Sequence, residues 1–430
     1  MKKLVTLIAA LVLSAAFAQE IRYWLWDSGQ QPAYQECADT FTAANPDITI
    51  KIEQKGWDDY WTGITTGFTS GTAPDVFTNH LAKYPEFVAN GQLVDIQPWV
   101  ERDGVPTDIY VGGLADLWGK DGARYGLPKD WDTVAIVYNQ EMLEAAGVTV
   151  EELNNATWNP EDGGTFGEII AKLSLDANGN NGLSPDFDPA NVVQYGFLQP
   201  GTGGAYGQTE WSWLATTTGW TFNDGLYATS YNYEDPRFIA TIQFMKGLID
   251  KGFSPPIEEV RNLGANSQFA AKKGALTPQG SWMISWFLNN TDFPMGFASI
   301  PAGPEGRKSM FNGLADSIWV GSQNQEAAWE WVKFLGSPAC QEIVGRYAVV
   351  FPAIPSAVEI AVASHQEKGV NVAAFSDLTE TEGSTFLFPV TDYAAQVADI
   401  MTKAMDRIYI GGEDAATVLP EADAEVDGVF

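Results

Sequence analysis

Asn45-Pro46-Asp47-Ile48-Thr49-Ile50-Lys51-Ile52-Glu53 carries a turn and the plainest alternation of the chain. Ile48, Ile50 and Ile52 alternate with Thr49, Lys51 and Glu53, the pattern of a strand with one wet face. Upstream lies a helical pattern over 32–44, and before it a strand-like run over 21–26. Downstream, 58–70 reads as helix, 75–77 as a short buried strand, and 84–90 as a helix capped by Gly91. Strand, helix, strand, helix, strand predicts a parallel α/β sheet.

The logic repeats further along. A strand over 134–138 leads into a helix over 141–146 closed by Gly147. Asp235-Pro236 starts a helix, with Asp as cap and Pro in the first turn, and Phe238, Ile242, Met245 and Ile249 form its apolar face up to Gly252. A Trp-rich helix follows over 327–335, and Ser337-Pro338 starts another. Residues 154–232 are turn-rich, full of Gly, Asn, Asp and aromatics; on an α/β frame such loops carry binding. With 430 residues the chain is too long for one compact core and calls for two domains. No Pro/Ser linker separates them, so the chain is expected to cross between them more than once.

The N-terminus sets the compartment. Lys2 and Lys3 precede an apolar run over 4–13 and the small-x-small signal Ala16-Phe17-Ala18. That order is a secretory signal peptide over 1–18, leaving Gln19 as the first mature residue. The run is too short to span a bilayer, and no cysteine stands near the cleavage site to carry a lipid. The net charge of −31, carried by 55 acidic against 24 basic residues, repels nucleic acid, phosphorylated ligands and anionic membranes, and leaves neutral or cationic ligands open. The two cysteines lie in helical apolar stripes, Cys37 with Tyr34, Ala38 and Phe41, and Cys340 with Ile343, Val344 and Tyr347. Each is either a small core residue or half of a disulfide, and the exported setting favours the pair.

Signals for chemistry are sparse. Only two histidines occur, His80 and His365, with no His-Glu-x-x-His, no Cys-x-x-Cys, no phosphate-binding Gly-rich loop and no nucleophile elbow. A glycosidase carboxylate pair stays open only because acids are abundant. Asp176, Asn178 and Asn180 place oxygens at positions 1, 3 and 5 of a loop that suits a structural calcium. The loop departs from the EF-hand pattern, with Gly182 at position 7 and Phe187 at position 12, so a plain Asn/Gly turn is the competing reading. No other cofactor is expected.

The strongest signal is aromatic. Sixteen tryptophans gather where turns are predicted, and several sit beside polar groups: Trp26-Asp27, Trp57-Asp58, Asp130-Trp131-Asp132 and Gln279-Gly280-Ser281-Trp282. A flat indole covers the C–H face of a sugar ring while neighbouring Asp, Asn, Gln or Lys bind its hydroxyls.

Seven segments in order complete the reading: Asn45 to Ile48 with Gly56 to Tyr60; Ser70-Gly71-Thr72-Ala73-Pro74-Asp75-Val76-Phe77; Gly91 to Ile96; Tyr125-Gly126-Leu127-Pro128 through Asn139; Lys273 to Trp282; Ala328 to Leu335; and Phe351-Pro352. Together they resemble the extracellular solute-binding proteins of sugar ABC importers, the group that includes maltose-binding protein. The resemblance implies two α/β lobes with a hinge and an interlobe ligand cleft, one lobe built from 19–129 plus 315–350, the other from 130–314 plus 351–430. It implies a monomer that captures a neutral di- or oligosaccharide and hands it to the importer's membrane subunits without transforming it. A polyamine binder of the same fold, or a secreted carbohydrate-active enzyme, are the alternatives. The contacts it implies are Trp26, Asp27 and Ser28 after the first strand; Trp57; Asn79, His80 and Lys83; Lys129, Asp130 and Trp131 at the crossover; Tyr206, Trp211 and Trp213 in the turn-rich section; and Gln279, Trp282, Asp316 and Phe351.

Overall fold

The first strand, Gln19–Leu25, is the organising element of a five-stranded sheet, and the computed structural model describes the chain from residue 18 to residue 430. The expected signal segment therefore lies, but for Ala18, outside the described residues. On one side Gln19–Leu25 pairs in parallel with Ile48–Gln54, Tyr23 opposite Ile52; on the other it pairs in parallel with Val76–Asn79. Helices Gln31–Ala44 and Trp57–Ser70 make the two crossovers. Tyr34, Cys37, Ala38 and Phe41 recur at helical spacing and are the buried face of the first. The second stops at Gly71, whose φ of 73° is a left-handed conformation that only glycine adopts freely. The sheet is completed by Ala315–Ile318, antiparallel to Val76–Asn79, and by Leu127–Pro128 at the edge.

A second five-stranded sheet has the order Met295–Ala298, Val134–Asn139, Gly274–Gly280, Val192–Phe197, Leu175–Asp176. Its central strand Gly274–Gly280 is buried along its whole length, so it carries small and apolar residues almost throughout. Helix Pro236–Asp250 packs its Phe238, Ile242 and Met245 inward, and the Asp235 carboxylate accepts the Arg237 N–H at 2.8 Å as its cap. Leu248, not Ile249, is the last buried residue of that face.

The two sheets are joined by three chain segments lying side by side. Leu127–Pro128 pairs with Ala315–Asp316, Asp130–Trp131 pairs antiparallel with Phe351–Pro352, and Asp132 bridges Asn312. One hydrophobic cluster runs from the first sheet through Trp131 and Phe351 into the second. A separate cluster fills the far face of the first sheet, where Cys37 and Cys340 are joined, Cα atoms 5.2 Å apart, tying helix Gln31–Ala44 to helix Pro338–Tyr347. Away from the crossing, the lobes also touch through the Lys120–Asp392 ion pair and the Tyr84 and Tyr227 hydroxyls, 2.6 Å apart. Among the described residues no helix is long and apolar enough to cross a membrane.

Candidate functional site

A cleft of about 730 Å³ opens where the lobes meet. Its floor is the crossing itself, with Asp130, Trp131 and Asp132 from one segment, Asn312 and Leu314 from the second, and Val350 from the third. Strand alternation sends neighbouring side chains to opposite sides. Lys129 turns into the first lobe, where its ammonium donates to Tyr23 Oη (2.7 Å), Thr78 Oγ1 (2.9 Å) and Asp316 Oδ1 (3.3 Å) and lies 3.9 Å above the Tyr34 ring. Trp131 stacks on Phe351 and also edges the cleft.

The first lobe supplies one wall. Trp26, Asp27 and Ser28 form the turn leaving the first strand, and Gly29 N–H and the Gln30 amide hold the two Asp27 oxygens at 2.8 and 3.0 Å. Trp57, at the start of its helix, is 48% exposed, unusual for an indole, and meets Trp26 edge-on at 5.1 Å. The second lobe supplies the facing wall from one helical face: Trp282, Ser285, Trp286 and Asn289 stand at i, i+3, i+4 and i+7, with Asn290 beside them. Gly280 makes the first of these fit, since a Cβ there would lie 1.8 Å from the Trp282 ring. Gln208 completes the lining and donates to the Asp132 carboxylate at 2.5 Å.

The floor is electrostatically unbalanced. Asp130 is 2% exposed; its Oδ1 accepts the Leu314 N–H at 3.0 Å, and its Oδ2 is buried with no partner. The Trp131 indole N–H is likewise buried and unpaired. Burial pushes the Asp130 carboxyl up to about 7, with the charges of Asp316 and Asp27 adding and Lys129 and the Leu314 N–H opposing. Burial, then the charge of Asp130, holds Asp132 well above the usual carboxylate range. His80 is pushed down to about 4 by burial and by the charge of Lys83. It is therefore neutral at pH 7; its Nδ1 accepts the Ala82 N–H at 3.0 Å and its Nε2 lies 3.2 Å from the Asn312 amide.

Of the residues expected at the site, Trp26, Asp27, Ser28, Trp57, His80, Asp130, Trp131 and Trp282 meet in this one cleft. The others stand elsewhere. Lys129 and Asp316 form a buried pair in the first lobe, and Asn79 bonds Ser317 beside them. Lys83 rests over the Trp61 ring. Trp211 and Trp213 are fully buried in the second lobe, the former against Trp220, Phe222 and Phe238, because Gly203 and Gly207 leave room for its ring. Gln279 is enclosed in the central strand, Phe351 lies beneath Trp131, and Tyr206 packs on Phe388. Asp132, Gln208, Ser285, Trp286, Asn289 and Asn312 were not expected at the cleft. The i+3, i+4, i+7 spacing after Trp282 is the signal that finds three of them, Ser285, Trp286 and Asn289; Gln208 and Asn312 reach it only through tertiary contacts.

In the Asp176 turn the carboxylate accepts the N–H groups of Asn178, Asn180 and Asp188 and the Asn180 amide, so the loop's own donors fill it. Among the described residues no three His, Cys, Asp or Glu side chains converge as a metal-ligand set. A second cavity, about 330 Å³, lies within the second lobe between Trp220, Phe222, Phe386 and Phe388 and does not touch the crossing.

Comparison with known proteins agrees with the architecture. The family described as bacterial extracellular solute-binding protein matches residues 26–342. A binding protein of Brucella abortus (strain 2308) is 26% identical over 97% of this chain and 95% of its own. The lactose-binding protein of Rhizobium radiobacter is 30% identical over 36% of this chain and 37% of its own. Among solved structures, the ABC substrate-binding protein Lmo0181 of Listeria monocytogenes, in complex with cycloalternan, superposes with a TM-score of 0.81 at 18% identity, covering 96% of this chain and 99% of that one.

Proposed function

We propose, from the premise that this chain belongs to the bacterial extracellular solute-binding proteins, that it captures a saccharide outside the cytoplasm and delivers it to the membrane subunits of an ABC importer. The observation that carries this reading is the distribution of indoles around one cleft. Trp26 and Trp57 come from one wall, Trp282 and Trp286 from the other, and Trp131 from the floor, with Gln208, Asn289 and Asn312 between them. Apolar faces with a few fixed amides are the chemistry that a sugar's C–H faces and hydroxyls need, and the volume lies in the range of small-ligand sites. The 30% identity to a lactose-binding protein points the same way.

Because both walls touch the ligand, binding favours the closed arrangement by its differential contacts, and that arrangement is what the membrane subunits recognise. The protein acts as a monomer, released from its leader at Gln19, and returns the sugar unchanged. Thermal melting and tryptophan fluorescence of the mature chain, refolded to strip carried ligand, test this against a panel of di- and oligosaccharides. A saturable rise in midpoint with a saccharide is expected, since a ligand that binds only the folded state stabilises it by mass action. Product accumulating in proportion to protein would overturn the binding-only reading.

A further inference from the structure

We infer that the captured saccharide carries a positively charged amine, and that Asp130 and Asp132 hold it. This rests on the saccharide reading and replaces the neutral ligand expected from the sequence with an amino sugar.

The cleft lining contains three carboxylates, Asp27, Asp130 and Asp132, and no lysine or arginine. Its one other ionisable group, His80, is neutral at physiological pH. The Lys129 ammonium, whose charge reaches Asp130, donates its bonds to Tyr23, Thr78 and Asp316 on the other side of the crossing strand. Asp27 has both oxygens held by its own turn, whereas Asp130 keeps Oδ2 without a partner at 2% exposure, and Asp132, at 9%, has only the Gln208 amide.

Buried acids are retained where they are paired, and an unpaired one is among the most expensive features a fold can carry. A sugar hydroxyl can donate one hydrogen bond to Oδ2, but it does nothing to offset the cost of ionising two carboxyls side by side in a buried site. An ammonium supplies up to three donors and the missing positive charge together. The surrounding indoles suit it as well, since an amine over an indole face is attracted by the ring quadrupole while the rest of the sugar ring stacks.

The test is calorimetric titration of the refolded mature protein at pH 6.5 with four probes: the disaccharide of glucosamine, its N-acetylated counterpart, cellobiose and spermidine. The amino disaccharide is expected to bind at least about tenfold tighter than either neutral disaccharide. In Asp132→Asn that preference is expected to fall to within about twofold, with Asp130→Asn as the second variant; a melting curve for each shows that it folds. Neutral disaccharides binding as tightly as the amino one overturn the amine inference and leave the saccharide reading standing. Spermidine binding with no disaccharide binding overturns the saccharide reading, and the inference with it, while keeping the cation. Preference for the amine unchanged in both Asn variants removes Asp130 and Asp132 from the role, and no binding by any probe overturns the inference.

Discussion

Trp131 lies face to face on Phe351, ring centroids 4.7 Å apart and planes 11° from parallel, in two antiparallel strands that cross between the lobes. Both rings are about 1% exposed, so the stack joins the cleft floor to the core beneath it. Trp131→Ala is expected to destabilise the protein by about 3–5 kcal/mol in urea unfolding, as for other buried large-to-small changes. Phe351→Leu is expected to be milder, and a double-mutant cycle should return about 0.5–1.5 kcal/mol of coupling. Additive effects of the two changes would mean that the stack is incidental to the crossing.

Two tryptophans from the same sequence argument divide between site and core. Trp57 is 48% exposed at the cleft edge, while Trp211 is fully buried. Trp57→Ala should change unfolding free energy by less than about 1 kcal/mol yet weaken saccharide affinity about tenfold or more. Trp211→Ala should do the reverse, losing about 3–5 kcal/mol of stability with affinity of the folded protein held within about twofold. Calorimetric titration beside urea unfolding separates them, and equal effects of the two changes on affinity would refute the cleft described above.

That division shows what the residues disclose by themselves. The alternation at Ile48, Ile50 and Ile52 and the stripe Tyr34, Cys37, Ala38, Phe41 are local, and the elements they predict appear at those places. The joint between lobes is not local. It consists of two-residue strands, Leu127–Pro128, Asp130–Trp131 and Phe351–Pro352, too short for any period, held by partners far away in the chain. A tryptophan in a glycine-rich loop looks the same whether it faces a ligand or a neighbour's ring. Gly203 and Gly207 draw Trp211 inward, and only the fold makes their side of the ring visible. The alternation at Lys129-Asp130-Trp131-Asp132 did contain the missing step, because if Asp130 faces the cleft, Lys129 faces away and Asp132 faces it too.

The disulfide closes a very long loop at a place remote from ligand. Cys37 and Cys340 are 303 residues apart, buried between helices on the far face of the first sheet, and neither lines the cleft. In the chain-entropy view a link of that length contributes about 5–6 kcal/mol by restricting the unfolded chain. The paired change Cys37→Ser with Cys340→Ser is therefore expected to lower the unfolding midpoint while leaving saccharide affinity within about twofold. Thiol titration of the unreduced, denatured wild type should find no free thiol; two free thiols would contradict the bond.

Asp130 sets stability against binding, and pH reveals it. Its carboxyl titrates at about 7 in the fold and near 4 in an unfolded chain, so between those values the folded state binds the extra proton. Stability from this group is therefore highest in acid, falls as pH rises through that window, and reaches its full deficit above about pH 7. Asp27, Asp132 and Asp316 face it with like charge and Lys129 with opposite charge. His80, held down to about 4, slopes the other way, losing stability as pH falls from about 6.5 towards its folded value. Removing one charge isolates its share. Asp130→Asn should be more stable than wild type by on the order of 4 kcal/mol at pH 8 and nearly equal to it at pH 4, while its affinity for an amine-bearing disaccharide falls. Urea unfolding at the two pH values reads the difference directly. A variant gaining no more at pH 8 than at pH 4 would mean that the Asp130 carboxylate is already compensated in the empty cleft, and the deficit assigned to it would have to be withdrawn.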